Sequence, residues 1–251
     1  MKRKVKRRGV PFPLFIEAWL ALRYVQVAGT MLAGLRREVG ELVASGDVTA
    51  SGVHRAMARA QLRWHDVRLY NMTLEAWLVE ATGKVFAFAA RVQRRLLGEA
   101  FVEVRLTTRQ IADVARAWVA EELERVSGLP DRILERAREK LLGVVEAGGT
   151  SHDIEVDFVL LLDWGVGLAK MEAVNAVGTL NARIARAVQM LAGVEQYAWA
   201  TVLDERVRPT HQALEGEVFS WQGEPSPPEG HPGEPVNCRC WALPVPPEVK
   251  R

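Results

Sequence analysis

The feature that most constrains this chain is an abrupt change of composition after Gly193. Nine of the twelve prolines follow that residue, together with a high density of glycine. Proline removes a backbone donor and clashes with the preceding helical turn, so long helices are excluded there. Residues 13–196 instead have the apolar periodicity of helices. The sequence therefore predicts an α+β protein, in which a large all-helical region is followed by a small, turn-rich, mainly β C-terminal module.

The helical region opens with an amphipathic pattern between residues 15 and 44. Its apolar residues recur at helical spacing on one face, and they are Leu20, Val25, Met31, Leu35 and Val39. Thr49 or Ser51 is expected to cap the next helix, because a short hydroxyl side chain accepts a hydrogen bond from the first free N–H groups. Further along, the alternating residues 101–106 predict a short strand.

Three more boundaries are expected inside the helical region. Residues 71–73 predict a break, with Thr73 as the N-cap, in a pattern too long for one ordinary helix. Asp131 follows a Gly-Leu-Pro stop and is predicted to cap the helix after it. Glycines within residues 154–191 predict a kink or break near Gly165, since each glycine costs about 1 kcal/mol in a helix relative to alanine.

The C-terminal module is predicted to hold three short strands, at residues 198–203, 217–221 and 238–245. Pro209 suits the first turn of a short helix between them, and Gly216 suits its C-terminal stop. The sequence thus divides into three parts: a basic N-terminal arm at residues 1–12, a helical region at 13–196, and the C-terminal module at 197–251.

Charge in this chain is local rather than general. The net charge of +2 argues against a protein that coats nucleic acid along its whole length. Six basic residues crowd the N-terminus, namely Lys2, Arg3, Lys4, Lys6, Arg7 and Arg8. They are typical either of a solvated tail or of an arm that contacts DNA phosphates. Neither a signal peptide nor an apolar run of roughly 18 residues is found, so a soluble protein or one packaged inside a particle is expected.

The two cysteines, Cys238 and Cys240, are separated by one residue. A disulfide at this spacing would be strained, because the Cα atoms lie near the upper limit of about 6.8 Å. Side chains two apart in a strand share a face, so both thiolates can reach one ion. Five candidate ligands gather in the module: Asp204, His211, His231, Cys238 and Cys240. They predict a structural, tetrahedral zinc site, and a pair of small buried thiols is the alternative.

The other candidate ligands each have a structural alternative. Asp204 can cap the following turn or pair with Arg206 or Arg208. His211 can hydrogen-bond and pack within the turn between Pro209 and Gly216. Arg239 is expected in a salt bridge, with a phosphate contact as the alternative. The module's large aromatic residues are most simply its core, and they are Trp199, Phe219, Trp221 and Trp241.

Four motifs follow one another in the module: Trp199-x-Thr201, Asp204-x-Arg206-Val-Arg208-x-x-His211, Leu214-x-Gly216-x-x-Phe219 and Asn237-Cys238-Arg239-Cys240. In this order they resemble the phage Mu F-like minor head protein family. The resemblance covers about a fifth of the chain, and the helix before it, with Arg183-Ile-Ala-Arg186, is also similar. Some relatives place a His-Pro directly before the cysteine motif, whereas His231-Pro232 stands four residues ahead of it here.

The resemblance implies a minor capsid or head-morphogenesis protein of a tailed phage. Its expected location is the virion, at the head interior or portal vertex, and the host cytoplasm during assembly. The implied partners are the portal protein and the major capsid or scaffolding protein, with packaged DNA possible through the basic arm and no membrane in the assembled head.

No catalytic motif is found in the sequence. It lacks H-E-x-x-H, a nucleophile elbow and a phosphate loop, and a closed four-ligand metal site predicts no activity. Two alternatives stay open. One is a DNA-contacting packaging or ejection protein. The other is a metal-dependent hydrolase or nuclease, for which Glu205, Glu215 or Glu217 is the candidate base.

Overall fold

A computed structural model describes residues 13–64, 68–98 and 108–245 of the chain. The basic N-terminal arm and the strand predicted at residues 101–106 lie outside the described residues. Six long helices come first: α1 Leu14–Ser45, α2 Ala50–Trp64, α3 Arg68–Leu97, α4 Thr108–Ser127, α5 Leu129–Glu146 and α6 Ser151–Leu191. After them come β1 Gln196–Thr201, α7 Pro209–Ala213, β2 Val218–Ser220 and β3 Cys240–Val245. The predicted α+β class is confirmed.

Two helix boundaries have the predicted chemistry, and a third has a cap that was not predicted. Thr49 caps α2, since its hydroxyl accepts a hydrogen bond of 3.0 Å from the N–H of Gly52. Thr150 and Asp153 form a reciprocal pair at the start of α6, where the carboxylate accepts the Thr150 N–H at 2.7 Å. Pro209 occupies the first turn of α7 as expected. No described helix is long and apolar enough to cross a membrane.

Three predicted helix boundaries are wrong. Helix α3, Arg68–Leu97, runs without interruption through residues 71–73. Helix α5 begins at Leu129 with Gly128 as its N-cap, so Asp131 lies inside the first turn. Helix α6 is continuous across Gly165. A side chain there would meet Leu32 within 3.2 Å, so this glycine allows close packing rather than a break.

Contacts divide the chain into two units. The first comprises Met1–Glu17, Val79–Trp118 and Val174–Arg251, and the second comprises Ala18–Leu78 and Val119–Ala173.

In the second unit, α2 packs against α5 and the core is mainly aliphatic. Its two buried carboxylates, those of Glu38 and Glu122, are paired. The fully buried carboxylate of Glu38 accepts hydrogen bonds from Arg59 and Arg63, the latter at 2.7 Å. The hydroxyl of Tyr24 donates to Glu122 at 2.8 Å. These ion pairs satisfy charges that would otherwise be costly to bury.

The first unit contains an antiparallel three-stranded sheet in the order β2-β1-β3. In its register Tyr197 faces Phe219, and Thr201 faces Cys240. The predicted aromatic core is confirmed for Trp199, Phe219 and Trp221, whereas Trp241 is buried outside this cluster. The cluster consists of Tyr197, Trp199, Val207, Phe219, Trp221, Cys238, Cys240 and Ala242. The strands also match the predicted positions, with ends shifted by at most two residues.

Within the first unit, the sheet is tied to α6 by a buried glutamine. The amide of Gln189 donates to Gln93 at 3.1 Å and to the carbonyl of Ala242 at 2.9 Å. Its oxygen accepts the indole N–H of Trp221 at 3.3 Å. Gln189 therefore uses donors and acceptor together to fix β3 and the aromatic core against the helix.

Candidate metal centre

The segment before β3 sets the positions of both thiols. Asn237 has a left-handed φ of 54°, a conformation that asparagine tolerates better than most residues. Its N–H donates to Oδ1 of Asn175 on α6 at 2.8 Å. The N–H of Cys238 donates to Pro235 O at 3.0 Å, which closes the preceding turn. Cys238 and Cys240 then lie buried and are not joined by a disulfide.

The short helix α7 positions His211. Arg208 is its N-cap and has an extended conformation, and Pro209 starts the helical turn. His211 is only 2% exposed, and its ring lies edge-on to Trp199 with centroids 5.2 Å apart. The aromatic core of the module therefore holds the imidazole in one orientation.

Three ligand atoms converge at this point. Nδ1 of His211 lies 3.6 Å from Sγ of Cys238 and 3.5 Å from Sγ of Cys240. All three atoms lie within 4.8 Å of one another. A tetrahedral zinc with bonds of about 2.3 Å to sulfur and about 2.05 Å to nitrogen separates N from S by about 3.6 Å. The cluster therefore has the donor types and the spacing that a bound metal ion requires.

The pKa values of the two thiols are shifted in opposite directions. A hydrogen bond from Cys240 lowers the pKa of Cys238 below its ordinary value. The same contact, followed by burial, raises the pKa of Cys240. One sulfur is thus disposed to be a thiolate, which is the form of cysteine that ligates metals.

The outer nitrogen of His211 has its own partner. Nε2 lies 3.2 Å from Oε2 of Glu229, in the proline-rich loop between β2 and β3. Hydrogen bonds from Thr210 and then from His211 lower the pKa of Glu229. The ring thus contacts the thiols with one nitrogen and a carboxylate with the other.

The structure does not bring Asp204 to this cluster. Its Oδ2 lies 2.8 Å from Arg239 and 3.6 Å from Arg206, and its Oδ1 accepts the Arg206 N–H at 3.2 Å. Arg239 stands between the two cysteines and is turned away from them. The aspartate therefore ties the second motif to the cysteine motif through its salt bridge with Arg239, and it also pairs with Arg206, one of the two anticipated partners.

His231 also lies apart from the cluster. Its Nδ1 is 2.7 Å from the hydroxyl of Tyr197, and its ring centroid is 5.0 Å from that of Trp221. The backbone N–H of His231 donates a hydrogen bond to the carboxylate of Glu234 at 2.8 Å. Burial lowers the pKa of His231. Four residues separate His231-Pro232 from the cysteine motif, and this longer loop carries the histidine to the other end of the aromatic core.

Sequence reasoning did not find three residues that support the site. Glu229 contacts His211, Asn175 accepts the N–H of Asn237, and Gln189 fixes β3. Glu229 stands in a proline-glycine loop where an acidic residue resembles any solvated charge. Asn175 and Gln189 are polar residues within the apolar pattern of α6, and that irregularity was their only signal in the sequence.

A larger concave feature of the first unit offers no comparable chemistry. It is an apolar cavity of about 560 Å³ lined by residues of α3, α4 and α6. Among the described residues of its lining, Asp113 is the ionisable group, and it is paired with Arg116. The candidate functional site is therefore the cysteine-histidine cluster.

Comparison with known proteins agrees with the motif order. Residues 167–243 match the family model described as Phage Mu protein F like protein. An uncharacterized protein of Haemophilus influenzae is 26% identical over 135 residues, which are 54% of this chain and 30% of that relative. The chain thus spans less than a third of that relative's length. No solved structure matches the chain.

The matched range contains the whole cluster and the helix that supports it. It begins in α6, includes His211 on α7 and ends within β3, after Cys240. The family that residues 167–243 of this chain resemble is therefore the one described as Phage Mu protein F like protein.

Proposed function

We propose that this chain is a minor head protein of a tailed phage, bound at the portal vertex or inside the procapsid, with a C-terminal module held together by zinc. The observation that carries the proposal is the family match across residues 167–243, which includes the ordered motifs and the buried cluster. Its partners are other head proteins, and we propose the portal protein and the major capsid or scaffolding protein. The module boundary at residue 197 is part of the same proposal.

The zinc proposal rests on donor set, spacing and burial. Two sulfurs and one imidazole nitrogen are the ligands that zinc prefers, and the N–S separations of 3.5 and 3.6 Å fit a tetrahedral ion. The strands of the module have only six, three and six residues. Such a small structure buries little apolar area, and a structural metal commonly supplies the missing stability.

We assign the ligands to His211, Cys238 and Cys240. Among the residues that the structure describes, no other histidine, cysteine or carboxylate joins this group. We propose that a water molecule completes the tetrahedron. Asp204 and His231 support the site from outside, through the pairing with Arg239 and the contact with Tyr197.

A site with three protein ligands also raises the hydrolase alternative, because catalytic zinc keeps an open position. That alternative requires a carboxylate free to act as a base near the metal. The two nearby candidates are engaged: Glu215 accepts the Thr201 N–H at 2.7 Å, and Glu229 contacts His211. These contacts favour a structural role.

The zinc proposal is tested by elemental analysis of the purified full chain. We expect about one zinc per chain in the wild type and in a His231→Gln control. The Cys238→Ser/Cys240→Ser variant should hold essentially none. A wild type without zinc contradicts the metal proposal, and loss of zinc from His231→Gln contradicts the ligand assignment.

The head-protein proposal is tested by sedimentation with assembled portal rings, and separately with procapsids, of the same phage. We expect the nuclease-treated chain to co-sediment with one of these assemblies at moderate salt. Deleting residues 1–8 should leave this association intact. If the chain binds only DNA and the deletion abolishes that binding, the DNA-handling alternative replaces the proposal.

A further inference from the structure

We infer that Glu229 is a positioning residue of the metal centre, which holds the His211 ring so that Nδ1 faces the ion. This inference rests on the zinc proposal and adds to it a residue that lies outside the recognised motifs. Glu229 contacts the outer nitrogen of His211, Nε2, so its effect on the metal passes through the imidazole.

The His211 ring is oriented by contacts at both of its nitrogens. Nδ1 lies 3.5 and 3.6 Å from the two sulfurs, and Nε2 lies 3.2 Å from the carboxylate of Glu229. A neutral imidazole has one lone pair for a metal and one N–H to donate. When Nδ1 binds the ion, Nε2 must carry the hydrogen, and Glu229 is the acceptor placed to receive it.

The contact between Glu229 and His211 also affects the free energy of metal binding. A carboxylate that accepts the outer N–H of a ligating histidine fixes its tautomer and ring orientation, and it makes the ligating nitrogen a stronger donor. Loss of such an outer partner typically weakens metal binding about 10- to 100-fold. The fully buried Trp199 contacts the same ring, nearly perpendicular to it, with the ring centroids 5.2 Å apart.

The carboxylate of Glu229 is itself held in position by neighbouring residues. Thr210, the residue before His211, hydrogen-bonds to Glu229. Glu229 also lies in a tight turn, in which the N–H of Gly230 donates to Pro227 O at 3.3 Å and Gly230 has a φ of +93°. Two prolines and a left-handed glycine restrict this loop before any metal binds. The side chain therefore reaches the imidazole from a constrained backbone.

The inference is tested with three variants of the full chain: Glu229→Ala, Glu229→Gln and the control Glu224→Ala. Glu224 is exposed in the same loop, so its removal changes charge and composition equally. Zinc affinity is measured by competition with a chelator. We expect Glu229→Ala to lose about 10- to 100-fold in affinity. Glu229→Gln should lose less, because its amide oxygen still accepts the N–H, and Glu224→Ala should match the wild type.

A second readout separates positioning from general damage to the loop. In the cobalt-substituted protein, the sulfur-to-metal and d–d absorption bands should shift in Glu229→Ala and stay unchanged in Glu224→Ala. The thermal midpoint of the metal-free protein should be the same in all variants.

The possible failures are distinguishable. A wild type that binds no zinc overturns the zinc proposal. A wild type that binds zinc with the same affinity as Glu229→Ala overturns only the role of Glu229. Equal losses in Glu229→Ala and Glu224→Ala also overturn that role, since the loop as a whole would then be responsible.

Discussion

The second unit and the C-terminal module are stabilised in different ways. The unit is built from long helices whose aliphatic faces pack together, and its buried charges are satisfied by neighbouring arginines. The module has strands of at most six residues and a core of aromatic rings, two thiols and an imidazole. Many interchangeable contacts stabilise the first, whereas a few residues with specific chemistry stabilise the second. Single substitutions should therefore cost more in the module.

The largest expected effect is removal of the proposed metal ion. His211→Ala, or chelation of the wild type, should melt the module while the far-ultraviolet circular dichroism of the helices is mostly retained. Structural zinc sites in small modules contribute on the order of 10 kcal/mol on binding. Circular dichroism and near-ultraviolet tryptophan signals, followed together, test this. Simultaneous loss of both signals would contradict separate stabilisation of the two regions.

A matched pair of glycine substitutions gives the next largest effect. In Gly233→Ala the new Cβ would lie 2.3 Å from the Cβ of Ala182, at a φ of +89°. We expect a loss of about 3 kcal/mol in the free energy of unfolding. Gly167→Ala, on α6 with no atom within 4 Å, should be neutral or stabilising by up to about 1 kcal/mol. Urea unfolding measures the free energy of unfolding of both variants. Equal changes in the two variants would contradict the expected difference between the module and the helix.

The buried glutamine provides a smaller test. Gln189→Leu removes hydrogen bonds to Gln93, Trp221 and the Ala242 carbonyl, and leaves these buried groups without that partner. Each unsatisfied buried group costs about 1–3 kcal/mol, so we expect a loss of about 2 kcal/mol after relaxation. The control Gln26→Leu lies on the exposed face of α1 and should be near neutral. If Gln189→Leu leaves the free energy of unfolding unchanged in a denaturant titration, the hydrogen bonds of Gln189 do not contribute to stability.

The smallest expected effect is a dependence of stability on pH that originates in α1. Burial raises the pKa of Glu17 from 4.5 to about 7, although Arg239 and Arg206 oppose the shift. Because the folded pKa is the higher one, the stability that Glu17 contributes is fully present below pH 4.5 and is lost as pH rises towards 7.

Glu17→Gln should therefore stabilise the chain at pH 8 relative to pH 4.5, by about 1 kcal/mol after allowance for partial solvent access. Unfolding by urea at the two pH values measures this difference. The exposed Glu75→Gln serves as the control and should show no such dependence. A pH-independent Glu17→Gln would show that this carboxylate has its ordinary pKa.

Much of the fold was predictable because local signals are strong where they are periodic. The helical region, the three strands and the helix that starts at Pro209 all follow from spacing, proline and glycine. The predicted breaks at residues 71–73 and near Gly165 are wrong because tertiary packing overrides local propensity. At Gly165 the neighbouring Leu32 occupies the space that a side chain would need.

The candidate site was predictable only in part. The C-x-C spacing and the resemblance singled out Cys238, Cys240 and His211, which the fold brings together. Asp204 and His231 have equally suitable chemistry, yet their partners are Arg239 and Tyr197. Residue type alone does not distinguish a ligand from a salt-bridge partner, because both require the same atoms.

By itself the sequence determined the class of fold, the order of the motifs and the family they indicate, since these depend on local periodicity and on residues near each other in the chain. Only the tertiary structure decided which of the candidate ligands share one point in space. His211 lies 27 residues before Cys238, and Glu229 lies 18 residues after His211. Distances of 3 to 4 Å between such residues depend on how the sheet, α7 and the proline loop pack around one aromatic core.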